Sequence, residues 1–173
     1  MRYDVSMNSR RTTPTIWVDA DACPKLVKEI LFRAAQRSGI QTTLVANKML
    51  FVPPSPHLRA VQVPSGFDVA DKYIVQQLQP GDLAITADIP LAAEVVGRGC
   101  LALSPRGELF TSENIGGLLD MRNFLSSLRD QGVNSGGPAA IDQGDLQAFA
   151  GQLDRWLAKL PRPQILTPLE KPS

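Results

Sequence analysis

Residues 15–38 read TIWVDADACPKLVKEILFRAAQRS, and the succession of patterns inside them decides the fold. Residues 15–19 form a short apolar run that ends on a carboxylate, as a strand buried on both faces does. Pro24 stands where a first helical residue belongs, because its fixed φ suits the first turn and its missing N–H costs nothing there. From Lys25 to Ser38, Leu26, Val27, Ile30, Leu31 and Ala34 recur at helical spacing on one face. Lys25, Lys28, Glu29 and Arg33 take the other faces, and Gly39 supplies the stop.

The same alternation continues down the chain. Residues 41–46 and 58–63 read as strands, with a proline-rich loop at 52–56 between them. A second helix is expected over 67–78, with Val69, Ala70, Tyr73, Ile74 and Leu78 inward, and Pro80-Gly81 breaks it. Residues 82–87 give another buried strand, 90–96 a short helix and 100–103 a last strand. After the turn Ser104-Pro-Arg-Gly107 the spacing predicts a helix over 112–130, weakened at its start by Gly116-Gly117. A glycine-rich loop at 132–138 leads to a final helix over 143–159, whose stripe is Leu146, Phe149, Leu153, Trp156 and Leu157. Strand and helix in alternation imply an α/β fold, a mostly parallel sheet in a three-layer α/β/α sandwich. In such sheets ligands gather beyond the carboxyl ends of the strands, at the point where strand order reverses.

The 173 residues suit one domain, expected over 14–159. Residues 1–13, polar and basic without periodicity, read as a disordered leader, and 160–173, with four prolines, as a disordered tail. Eighteen basic and seventeen acidic residues leave a net charge of +1, so a nucleic-acid partner would need a local basic patch. Two distant cysteines, Cys23 and Cys100, exclude a disulfide scaffold and a cysteine-rich zinc site. A single histidine, His57, argues against imidazole-held zinc and a Ser-His-Asp triad. No apolar run approaches the ~20 residues of a membrane span, and a soluble cytoplasmic protein is the expectation.

Chemistry is expected at the carboxylates. One strand ends in Asp19-Ala-Asp21 and another in Thr86-Ala-Asp88, while Asp68 and Asp71 lie three apart near the start of the second helix. Gathered carboxylates repel unless a cation neutralises them, and an all-oxygen donor set suits Mg²⁺ or Mn²⁺. The plainer readings are helix caps at Asp21 and Asp68 and a solvated charge at Asp71. Cys23 at a helix start reads as a small half-buried residue rather than a nucleophile. Lys48, Lys72 and Arg106 are candidate phosphate contacts, Arg106 because its turn follows a strand's carboxyl end. The glycine-rich loop could present N–H groups to an anion but lacks a P-loop's Lys-Ser/Thr ending.

These residues resemble the bacterial YaiI/YqxD proteins (UPF0178, DUF188). The matching stretches are IWVDADACP at 16–24, LVAN at 44–47, GFDVAD at 66–71, GDLAITADIPLA at 81–92, SPRGE at 104–108 and GGP at 136–138. The resemblance implies a PIN-like domain, the α/β/α fold of many metal-dependent ribonucleases and 5′-nucleases. It further implies that Asp19 and Asp88 are the acids ending the first and fourth strands, and Asp71, with Asp68 as substitute, the helix-borne acid. Asp21 is an addition.

The expectation is therefore a phosphodiesterase for RNA or single-stranded nucleic acid. Asp19, Asp71 and Asp88 would hold Mg²⁺ or Mn²⁺, Asp21 or Asp68 would orient water, and Lys48, Lys72 and Arg106 would meet phosphate. One rival is a non-catalytic nucleic-acid-binding domain. Another is a haloacid-dehalogenase-like phosphatase with Asp19 as nucleophile and Asp21 as acid/base, although no later acidic pair follows Ala87.

Overall fold

The computed structural model describes residues 13–132 and 140–160. The expected leader and tail, apart from Thr13 and Leu160, and the loop at 133–138 lie outside the described residues. Six strands form one sheet: β1 (Ile16–Asp19), β2 (Thr42–Ala46), β3 (Leu58–Gln62), β4 (Leu83–Ile85), β5 (Leu101–Leu103) and β6 (Leu109–Phe110). Five α-helices accompany them: α1 (Lys25–Ser38), α2 (Val69–Gln77), α3 (Ile89–Gly97), α4 (Ile115–Asp130) and α5 (Gln143–Ala158). The strand order is β3-β2-β1-β4-β5-β6. β1 to β5 run parallel, and β6 returns antiparallel along β5. The chain winds outward from β1 to β3, then crosses to β4 and winds the other way. The reversal falls between β1 and β4.

Side-chain alternation along each strand divides the interior into two cores. Ile16 and Val18 join Leu44, Leu83, Ile85 and Leu103 beneath α1 and α5, where Val27, Leu31, Phe149 and Leu153 are buried. Trp17 joins Val45, Ala84, Ala102 and Phe110 beneath α2 and α3, where Ile74, Leu91 and Val95 are buried. Ile115 and Leu118 of α4 pack against this second core. This is the three-layer α/β/α sandwich with its mostly parallel sheet.

Several boundaries differ from the pattern. Pro24 is the N-cap of α1, not its first helical residue, in extended geometry (ψ 149°) with its carbonyl accepting from the Lys28 N–H. A 3₁₀ turn, Ala20–Ala22, separates β1 from α1. Leu26 is 51% exposed rather than inward, and lines a groove between α1 and α5 beside Ile30 and Leu146. The second helix starts late because Asp68 takes the left-handed conformation, φ 64°, the sole non-glycine positive φ among the described residues. Gly116 and Gly117 lie inside α4 without breaking it.

A cluster of aspartates across the switch point

The reversal of strand order puts the carboxyl ends of β1 and β4 side by side, and the aspartates converge there. Asp19 is the last residue of β1 and Asp88 the N-cap of α3, three residues beyond β4. The period of two places Asp19 on the same side of the sheet as Trp17, facing the α2–α3 layer. Trp17 meets Tyr73 of α2 edge to face, ring centroids 6.4 Å apart, which docks α2 two residues past Asp71.

Thr86 joins the two strand ends. Its hydroxyl donates to Asp19 Oδ2 at 2.9 Å and accepts the Asp88 N–H at 3.0 Å. Asp88 in turn caps α3 by accepting the Leu91 N–H through Oδ1 at 3.0 Å. Asp21 caps no helix: its Oδ2 accepts the Asn47 N–H at 2.8 Å, tying the turn after β1 to the end of β2. Asp68 makes no side-chain capping bond to α2 and sits ahead of the helix, not within it. Neither plain capping role applies where the pattern suggested it. It applies to Asp88 instead.

The acids act on one another electrostatically. Burial raises the Asp19 carboxyl above its ordinary range, against the lowering effect of the Thr86 bond, and Asp88 and Asp21 raise it further. Burial, followed by Asp88, Asp19, Asp68 and Glu94, pushes Asp71 up to about 6. Among the described residues no basic side chain forms an ion pair with any of these five aspartates; the pairs Arg37–Asp154 and Arg106–Asp145 both engage α5. Cys23, buried nearby, has its thiol pushed up to about 12, which leaves almost no thiolate at neutral pH.

The sign of the Asp71 shift gives a stability prediction. A carboxyl with a folded pKa above its unfolded value near 3.8 binds more protons in the native state between those values, so stability falls as pH rises from about 4 to about 6. Asp71→Asn is expected to raise stability toward urea in EDTA at pH 7 and to lose that gain below pH 4. An equal gain at both pH values would mean that the carboxylate charge is not its source.

The structure brings Asp19, Asp71 and Asp88 within electrostatic reach of one another, with Asp21 reaching Asp19 and Asp68 reaching Asp71. Lys48, two residues past β2, and Lys72, next to Asp71, are exposed. Arg106 is engaged elsewhere: its Nη1 meets Asp145 Oδ2 of α5 at 2.6 Å. The turn it occupies packs on that helix, with Gly107 against Ala148. Thr86 and Asn47 had no assigned role in the sequence pattern. Thr86 stood within the quoted Thr-Ala-Asp stretch, and a hydroxyl between two strand-end acids was the available clue.

The donor set fits a hard divalent cation in its chemistry, being all carboxylate and without a counter-charge. Among the described residues no three His, Cys, Asp or Glu side chains are close enough together to hold a metal ion by themselves. One or two carboxylates with water and substrate phosphate, the usual way Mg²⁺ is held, is the arrangement these residues allow. Among the described residues no helix is long and apolar enough to cross a membrane.

Comparison with known proteins agrees with the motifs. The family model described as "Uncharacterized BCR, YaiI/YqxD family" matches residues 17–159. The chain is 65% identical over 144 residues to a UPF0178 protein of Thioalkalivibrio sulfidiphilus, covering 83% of this chain and 98% of that one. A UPF0178 protein of Dechloromonas aromatica is 62% identical over 146 residues (84% and 97% covered), and one of Shewanella amazonensis 60% over 147 (85% and 99%). The chain belongs to the YaiI/YqxD (UPF0178) family.

Proposed function

We propose that this protein is a divalent-cation-dependent phosphodiesterase acting on RNA or other single-stranded nucleic acid. The observation that carries the reading is that Asp19 and Asp88 stand at and just beyond the ends of neighbouring parallel strands at the switch point. Asp88 raises the Asp19 carboxyl and both raise that of Asp71, with no ion-pairing basic side chain among the described residues. A PIN-like architecture, as the motif resemblance implies, is consistent with that placement. Of Asp19, Asp71 and Asp88, one or two carboxylates at a time would hold Mg²⁺ or Mn²⁺, with water and substrate phosphate completing the shell and Asp21 and Asp68 as further acids of the group. Such an ion, when bound, polarises a phosphoryl oxygen and lowers the pKa of attacking water.

The chain's own groups prepare the site. The Thr86 hydroxyl donates to one oxygen of Asp19 and so holds that carboxylate's orientation. The α3 cap bond uses one oxygen of Asp88 and holds its rotamer. Lys48, two residues past β2, and Lys72, next to Asp71, are both exposed and would supply positive charge for phosphate.

A second reading has one observation in its favour. The acids do not close around an ion unaided, as a nucleic-acid-binding module without chemistry would also have it. Incubating end-labelled single-stranded RNA with Mn²⁺ or Mg²⁺ separates the two. The nuclease reading expects cleavage by the wild type that Asp19→Asn lacks, with both proteins folded. Full activity of Asp19→Asn would overturn the assignment of that acid. RNA binding without cleavage by either protein would favour the binding module. Phosphate release from a small monoester, with phosphate trapped on Asp19, would instead support the phosphatase.

A further inference from the structure

Phenylalanine is rarely left almost wholly in water, yet Phe67 is 91% and Phe51 84% exposed, with Met49 at 84%. Both aromatic residues stand on segments that leave the carboxyl ends of neighbouring strands. Phe51 lies between β2 and β3, in the segment whose first residue, Asn47, is hydrogen-bonded to Asp21. Phe67 lies between β3 and α2 and immediately precedes Asp68.

Neither exposure is the fraying of a loose loop. Leu50 and Val52, on either side of Phe51, pack against the α1–α5 core. Val69 and Ala70, just after Phe67, pack against the other core. The chain is anchored on both sides of Phe51 and beyond Phe67, and the rings stand outward from anchored backbone. Exposed Lys48 and Lys72 lie within five residues of them.

We propose that Phe51 and Phe67 are two separate stacking faces for the unpaired bases of a single-stranded nucleic acid whose backbone runs past Lys48 and Lys72 toward the aspartates. Aromatic faces stack on any base and so recognise unpaired strands without reading sequence. A duplex keeps its base faces in its own stack and offers nothing to these rings. The inference builds on the phosphodiesterase reading and deepens it, because it restricts the substrate to unpaired strands.

Binding of a fluorescein-labelled 12-nucleotide RNA of mixed sequence, followed by anisotropy in EDTA, tests the stacking faces apart from any cleavage. Phe51→Ala and Phe67→Ala are each expected to weaken binding roughly tenfold, as loss of one stacked base does. Phe→Trp at either position should restore it, and a duplex of the same sequence should bind more weakly and ignore both changes. Phe124→Ala on α4, where the native ring is 58% exposed, is the control and should have no effect. Unchanged affinity in both alanine variants, or no RNA binding by the wild type, would overturn the proposal. So would a wild-type dimer that these substitutions dissociate in sedimentation, since the rings would then serve contacts between copies. Aromatic-dependent binding without any cleavage would leave the stacking faces standing and remove the phosphodiesterase reading alone.

Discussion

Replacing Asp82 with alanine is expected to cost about 3–5 kcal/mol of stability, because buried N–H donors lose their shared acceptor at about 1–3 kcal/mol each. Asp82 is 1% exposed, and at least three donors point at its carboxylate. Oδ1 accepts the Thr15 N–H at 2.9 Å, while Oδ2 accepts the Trp17 indole N–H and the Gln79 N–H, each at 3.0 Å. Water reaching the gap offsets part of the sum of those losses. Urea unfolding is the measurement, and a loss under 1 kcal/mol would show that the donors find other acceptors. Asp82 is thus the structural counterpart of the strand-end acids. It is surrounded by donors, whereas Asp19 and Asp71 face other carboxylates.

The second large effect concerns Gly107. Its φ is +91°, and a Cβ built there would lie 2.5 Å from Ala148 Cβ, 2.6 Å from Ala148 C and 2.7 Å from Phe149 N. Two of those three atoms are backbone of α5, so no rotamer change relieves them. Gly107→Ala is expected to destabilise by about 3–4 kcal/mol, combining the left-handed backbone penalty with overpacking. The adjacent Arg106–Asp145 ion pair is half-exposed and contributes at most about 1 kcal/mol. The close approach at Gly107, rather than the charge pair, therefore decides whether α5 docks. Calorimetry of Gly107→Ala and Asp145→Asn should rank them in that order. The reverse ranking would refute the packing account.

The chain shows in its sequence what is local. Apolar runs marked β1 to β5, and helical spacing marked α1, α2, α3, α4 and α5. β6 has two residues, Leu109–Phe110, too short for any period to register. The late start of α2 depends on the left-handed Asp68, which aspartate tolerates but does not announce. Asp19 and Asp88 stood out because strongly apolar strands lead to them. Their adjacency did not, since it follows from a strand order set by non-local pairing. The role of Asp82 was hidden for the same reason, because its indole partner lies 65 residues away. Its turn alone points to Arg106 as a phosphate contact, and Asp145, which engages it, comes 39 residues later.

The division of the interior into two cores gives the molecule a pair of optical reporters. Its two tryptophans fall one to each side of the sheet: Trp17 in the α2–α3 core and Trp156 in the α1–α5 core. Emission from each indole in a single-tryptophan variant follows one half of the protein, and superimposable melting curves would mark the sheet as a single cooperative unit. Trp17 also stands two residues before Asp19, so a paramagnetic ion held there would dim its fluorescence, with Trp156 across the sheet as the internal reference.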